Sequence, residues 1–382
     1  MSRKIRAVRD GGSKIDFRTE DDARNSPAST EVSQRQNDRR RRNGDSVGHR
    51  LLAVFVRWEA VLVVLLAGVF VLNSNLSPYF LNRVNLLNAT YSFMERAIMA
   101  MPMMLVIISG EIDISVAGII ALSSTMMGLA AQAGAPMGVM IAVALATGLL
   151  AGLLNAFIVL RFRVPSIAVT IGSMSLFRGI SWAILGNQAL TGYPRALSQL
   201  GQGTVGNTLV PMPLVMFALL AAVTGVVLHR TAIGRSIYAL GSNPTATLFS
   251  GVPVTRYKAT LFALNGLVAG FAAVLLTSRI LSTRPNIAMA WELEVVTLVV
   301  LGGVAITGGK GTIVGVVLSI FVIGYLRFGL TLINVPSQVI GIVTGLLLVS
   351  AIILPGLFER LSARITVGRQ LSPGEPAGEG EQ

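Results

Sequence analysis

The chain has 382 residues, of which 53% are hydrophobic and only 13% charged, with a formal net charge of +13. Ordinary soluble domains hold about 25% charged residues, so this composition excludes a soluble globular protein and indicates an all-α polytopic membrane protein. Cysteine is absent and there are two histidines, His49 and His229, which excludes disulfide, zinc–thiolate and iron–sulfur chemistry and leaves no metal site or catalytic triad to assemble.

The basic charge is segregated. Thirteen of the 31 Lys and Arg residues lie in the first 50 positions, whereas residues 51–360 contain only seven acids: Glu59, Glu95, Glu111, Asp113, Glu292, Glu294 and Glu359. Basic residues flanking apolar runs follow the positive-inside pattern and argue against a nucleic-acid partner. Residues 1–50 end in Arg39–Arg42, lack the apolar core of a signal peptide, and read as a disordered basic cytoplasmic tail. Its arginines set topology and can also touch lipid headgroups, at roughly 1 kcal/mol per basic residue.

Residues 51–360 form the transmembrane domain. Ten spans are predicted, at about 52–72, 87–109, 114–131, 137–160, 165–185, 213–228, 259–277, 293–306, 313–332 and 339–354. A disordered C-terminal tail, 361–382, closes the chain. With both termini cytoplasmic, inner loops carry Arg161, Arg163, Arg230, Arg235, Arg256, Lys258 and Lys310, against Arg83, Arg195, Arg279 and Arg284 outside. Gly148 and Gly152 make a small-xxx-small face that reads as helix packing.

The chain is organised around Leu105–Ser124, in which two apolar runs flank Gly110-Glu111-Ile112-Asp113-Ile114-Ser115. A carboxylate near mid-bilayer costs roughly 2.5–3.5 kcal/mol, and broken helices survive in a bilayer only where the freed backbone lines a cavity or packs on protein. Gly110 supplies the break and Ser115 a cap. Two readings stand: a solvated turn between spans, or a broken, re-entrant segment at a gate. Leu298–Ser319 echoes this pattern, and the eighth span is short enough to be a half-helix. Residues 231–258 form a basic loop with its own helix signals. Asn243 suits an N-cap, Pro244 the first turn and Gly251 the C-terminal cap, which predicts a helix over Pro244–Ser250. Leu248 and Phe249 are too apolar for a free loop. Gly308–Thr312 is not a phosphate loop, because Val304 and Gly311 stand where glycine and Ser/Thr are needed.

The 110–118 stretch resembles the Gly-Gly-Ile-Asp-Leu-Ser-Val-Gly signature of permease subunits of bacterial carbohydrate ABC importers, the ribose/xylose/rhamnose group. Glu111 replaces the second glycine and Ala117 precedes Gly118, departures that look like the rhamnose branch. The resemblance covers about 57–354 and is most specific over 109–115, 234–244 and 291–311. It implies an inner-membrane subunit with no catalytic residues, no metal and no cofactor of its own, ATP and Mg being bound by partner ATPase subunits. It further implies a coupling element at Gly234, Arg235, Asn243, Pro244, Ala246, Leu248, Phe249 and Gly251. The family's acidic residue and second alanine are replaced there by Thr245 and Thr247. A second permease subunit, identical or paralogous, would complete the path. A periplasmic sugar-binding protein would dock through Tyr193, Arg195, Arg279, Arg284 and Glu292.

Glu95, Gly110, Glu111, Asp113, Ser115 and Asn155 are the candidates for the path or gate. Glu95 needs a partner, for which Arg178 and Arg327 are the candidates, while Arg96 points about 100° away along the helix. The functional expectation is therefore ATP-driven import of a monosaccharide, with rhamnose first. The alternatives are an autoinducer-2-type permease, an ion-coupled transporter using Asp113 and Glu95, or a membrane scaffold.

Overall fold

In the computed structural model the described residues are 5–9, 15–19, 58–206, 208–347, 349–350 and 353. The chain divides into two units, Met1–Ala60 and Val61–Gln382. Within the first, the tail expected to be disordered contains an antiparallel hairpin of β1 (Ile5–Arg9) and β2 (Ile15–Thr19), with Ala7 opposite Phe17. Arg39–Arg42 and the 361–382 tail lie outside the described residues.

The rest of the described chain is helical. In order come α1 (Trp58–Leu76), α2 (Arg83–Ile108), α3 (Val116–Gln132), α4 (Met137–Phe162), α5 (Ser166–Leu185), α6 (Arg195–Gln202), α7 (Met212–Arg230), α8 (Ala232–Ser242), α9 (Pro244–Phe249), α10 (Val254–Ile280), α11 (Trp291–Leu301) and α12 (Ile313–Leu332). A further helix, α13, is described over Ser337–Leu347. Seven of these, α1, α2, α4, α5, α7, α10 and α12, are long and apolar enough to cross a membrane. The fold is thus an all-α polytopic membrane protein. Ten full spans are not reached among the described residues: α3 has 17 residues, and the eighth expected span, 293–306, is the 11-residue α11 followed by a break.

Burial sorts the helices. The apolar window of α2 is 83% buried and that of α1 only 17%, and every residue of α2 from Ala97 to Ile108 is inside. Without water to drive association, helices in lipid pack through close contact and polar bonds. The α4–α10 pair does both. A methyl group at Gly148 would lie 2.3 Å from the Gly266 carbonyl oxygen, and one at Gly152 2.4 Å from that of Phe262. Such backbone approach is available only to glycine, as the small-residue spacing in α4 predicts. Phe70, Phe80, Phe93 and Tyr325 form edge-on ring contacts that tie α1 and α12 to α2, and the Asn73 amide donates to the Tyr325 carbonyl at 2.9 Å.

Two stretches expected as loops contain helices. α6 interrupts the polar 186–210 segment and buries Leu197. α8 fills the first half of the 231–258 loop, with Thr231 Oγ1 accepting from the Gly234 amide.

Candidate functional site

Two helix breaks meet in space. α2 stops at Ile108 and the chain turns at Gly110, whose φ of +82° suits glycine. α11 stops at Leu301 and the chain reaches α12 through Gly308 and Gly309, at φ +84° and +75°. The Gly309 amide donates to the Ile108 carbonyl at 2.8 Å. The two segments that echo one another in sequence are therefore bonded to each other through main chain. A third main chain joins them. A methyl group at Gly241, near the end of α8, would sit 1.8 Å from the Ile108 carbonyl oxygen and 2.4 Å from the Gly309 amide nitrogen. The Tyr238 hydroxyl, one turn earlier, donates to the Gly311 carbonyl at 2.6 Å. Burial pushes that phenol above its ordinary range, so it stays a donor.

α9 begins three residues after Gly241. Asn243 Oδ1 accepts from the Ala246 amide at 2.9 Å, and Gly251 takes φ +81° after the helix ends. Both match the cap signals in the sequence, and α9 ends one residue short of the expected boundary. Only Thr247 is buried. Leu248 is 58% exposed and Phe249 85% exposed, so most of the apolar surface of α9 is left open among the described residues. Arg235, Asn243, Pro244 and Ala246 are exposed as well, while Gly234 is buried where α8 turns back against the Leu228 carbonyl.

Asp113 is fully buried just beyond the first break. Its Oδ1 accepts from the Ser115 amide at 3.0 Å and the Ser115 hydroxyl at 2.5 Å, and its Oδ2 accepts from Asn265 of α10 at 2.9 Å. Asn155 of α4 donates to the Ser115 hydroxyl at 2.7 Å. Asp113, Ser115 and Asn155, candidates for a gate, are thus brought together, and Asn265 completes the set. The network fastens the start of α3 to the α4–α10 pair. Asp113→Leu would strand three donors, at about 1–3 kcal/mol for each one left unsatisfied. Asp113→Asn is expected to be milder, because the Asn265 side chain can turn its otherwise unbonded Oδ1 toward the new amide. Thermal melting in detergent separates the two: loss of folded Asp113→Leu beside a modest shift for Asp113→Asn is the expected result. Equal behaviour of the two would remove this role.

Several other charges inside the bundle are paired. Glu111 bonds Lys258 at the start of α10. Glu95 pairs with Arg279 at 2.6 Å, not with Arg178 or Arg327. Arg178 donates instead to the carbonyls of Pro285 and Ile287. Arg327 pairs with Glu294, which also takes Arg96 at 2.6 Å, and Arg96 lies 5.0 Å over the Trp291 ring. These part-buried contacts hold α11 and α12 to α2, with the roughly 3–5 kcal/mol for breaking a fully buried pair as their upper bound. Of the expected docking residues, Arg195 and Arg284 are exposed and Glu292 is half-buried. Arg279 is committed to Glu95. Tyr193 is buried, contrary to expectation, with its hydroxyl 2.6 Å from Thr283 Oγ1. Sequence reasoning passed over Asn265, and noted Gly241 only as part of the 234–244 resemblance, not as a point of close packing. An amide inside an apolar run was the available signal for Asn265; Gly241 carried none beyond its place before Asn243.

Paired Gly-interrupted helices bonded at their breaks, inside a multi-pass bundle, are the construction of a membrane transporter. Residues 85–352 match the model of the family described as the branched-chain amino acid transport system / permease component, and the chain belongs to that permease family. It is 34% identical over 302 residues to the autoinducer 2 import system permease protein LsrD of Escherichia coli strain K12. The proteins of the same name from Shigella flexneri and Escherichia coli O157:H7 match equally, each alignment covering 78% of this chain and 91% of the relative. No solved structure matches it.

Proposed function

We propose that the chain is the membrane-spanning subunit of an ATP-driven importer for a sugar or sugar-like solute in the bacterial inner membrane, with both termini cytoplasmic. One observation carries this reading: the exposed apolar side chains of α9, Leu248 and Phe249, follow seven and eight residues after Gly241, the glycine at the junction of both helix breaks. A partner gripping Leu248 and Phe249 would pull, through α9 and Gly241, on Ile108 and Gly309. The sequence offers no phosphate loop, so the partner would be a cytoplasmic ATPase that binds the ATP and Mg. Arg195 and Arg284, at the other end of the bundle, would face a periplasmic binding protein, and a second permease subunit, identical or paralogous, would enclose the path.

Two substrates fit the reading. The Glu111 and Ala117 departures favour rhamnose, and the similarity to LsrD favours autoinducer 2. Uptake of each labelled compound by cells expressing the chain with its neighbouring subunits is the test. Import is expected to persist when a protonophore collapses the proton gradient while ATP is maintained. Import that stops under those conditions would replace this reading with ion-coupled transport through Asp113 and Glu95.

A further inference from the structure

Four hydroxyls meet halfway along α3, away from the glycine junction. Ser124 Oγ lies 2.7 Å from Thr277 Oγ1 of α10 and 2.6 Å from Thr283 Oγ1, and the Tyr193 hydroxyl lies 2.6 Å from Thr283 Oγ1. All four side chains are buried. The main chain is engaged there too. Leu190 and Thr283 exchange both amide–carbonyl bonds at 2.9 Å. A methyl group at Gly128, one turn from Ser124, would lie 2.7 Å from the Leu190 side chain and 2.9 Å from the Tyr193 oxygen. Segments 186–194 and 281–287 are therefore bonded to each other, and both are seated on α3.

The start of α3 is held by the Asp113 network, in which Asn265 supplies the α10 contact. One helix, α10, thus grips α3 at two levels, because residues 265 and 277 lie about 18 Å apart along it at 1.5 Å per residue. Between those levels α3 contains no proline. Its Gly118 is packed so closely on α5 that a methyl group would meet the Met174 carbonyl at 2.6 Å. The 113–124 stretch, held to α10 at both its ends, moves with that helix as one body. Hydroxyl bonds enforce this well in a dry interior, since each one left unmade costs the full desolvation of its partners.

We infer that the Tyr193–Thr283–Ser124–Thr277 hydroxyl cluster is a positioning device that makes α3 carry a displacement of the 186–194 and 281–287 loops to the break at 109–115. Its use in import rests on the function proposed above, in which those loops receive a docking protein and α9 a motor. The mechanical link itself belongs to this chain alone.

The test is hydrogen exchange on the full-length chain in lipid nanodiscs, comparing wild type, Thr283→Val and Thr283→Ser. Thr283→Val keeps the volume and removes the central hydroxyl. Exchange is expected to rise in the two loops and also at 110–115, by about tenfold for the loss of one to two net hydrogen bonds. The α7 peptides should be unchanged, and Thr283→Ser should return both regions to wild type. A rise confined to 186–194 and 281–287 would overturn the inference, as would a uniform rise that includes α7. Should Thr283→Val fail to fold, Tyr193→Phe removes only the terminal hydroxyl and is read in the same way. ATP-independent uptake would sink the proposed function without touching this result, and an unresponsive 110–115 segment would sink the link without touching the proposed function.

Discussion

Gly241→Val is expected to cut transport at least tenfold. No rotamer relieves the clash, because the first carbon of any side chain at 241 falls 1.8 Å from the Ile108 carbonyl oxygen and 2.4 Å from the Gly309 amide. Both are main-chain atoms, so the junction itself must open. Overpacking of a tight site costs about 1–3 kcal/mol, and separating the strands of the junction also breaks the Gly309–Ile108 hydrogen bond, worth roughly 1 kcal/mol net. The expected readouts are a lower melting temperature and uptake reduced at least tenfold, with Gly241→Ala almost as damaging because the clash starts at Cβ. Wild-type uptake by Gly241→Ala would mean that the close approach has no mechanical role.

The second large effect is expected at Phe249. With 85% of the residue exposed, Phe249→Asp removes almost nothing from the chain's own packing, so folded yield and melting should match wild type. The complex should not survive. Burying a phenylalanine in a partner contributes about 1.5–3 kcal/mol, and an aspartate in the same groove adds the cost of desolvating an unpaired charge. Affinity for the ATPase subunit is expected to fall by at least a hundredfold, read as its loss on co-purification. Retention of the ATPase by the folded variant would show that α9 is not the grip.

Much of this was legible in the sequence, for local reasons. A cap at Asn243, a proline at 244 and a glycine at 251 act within one or two turns, so α9 and its ends could be placed before any packing was known. The two glycine breaks and the Gly148/Gly152 face were readable in the same way. Long-range pairing was not. Glu95 finds Arg279 across 184 residues of chain, and nothing in their spacing prefers Arg279 to Arg178 or Arg327; the choice is made when α10 packs against α2. Tyr193 looked like an exposed loop residue because the segment around it is polar. Its burial depends on Gly128, which leaves room on α3 for the phenol. The eighth span was legible as a half-helix, but its end at Leu301 was hidden by the apolar run that continues into the break.

The deep seat of α2 has a consequence during synthesis. Glu95 and Arg96 leave the ribosome long before their partners, since Arg279 follows Glu95 by 184 residues and Glu294 follows Arg96 by 198. At roughly 5–20 residues per second, that delay is about 10–40 s. For that interval a nascent helix carrying two adjacent unneutralised charges has no acceptable home in lipid, where each costs about 2.5–3.5 kcal/mol. The insertion machinery must therefore shelter α2 until the last third of the polypeptide has been made, and the bundle closes around its oldest buried segment from the youngest end.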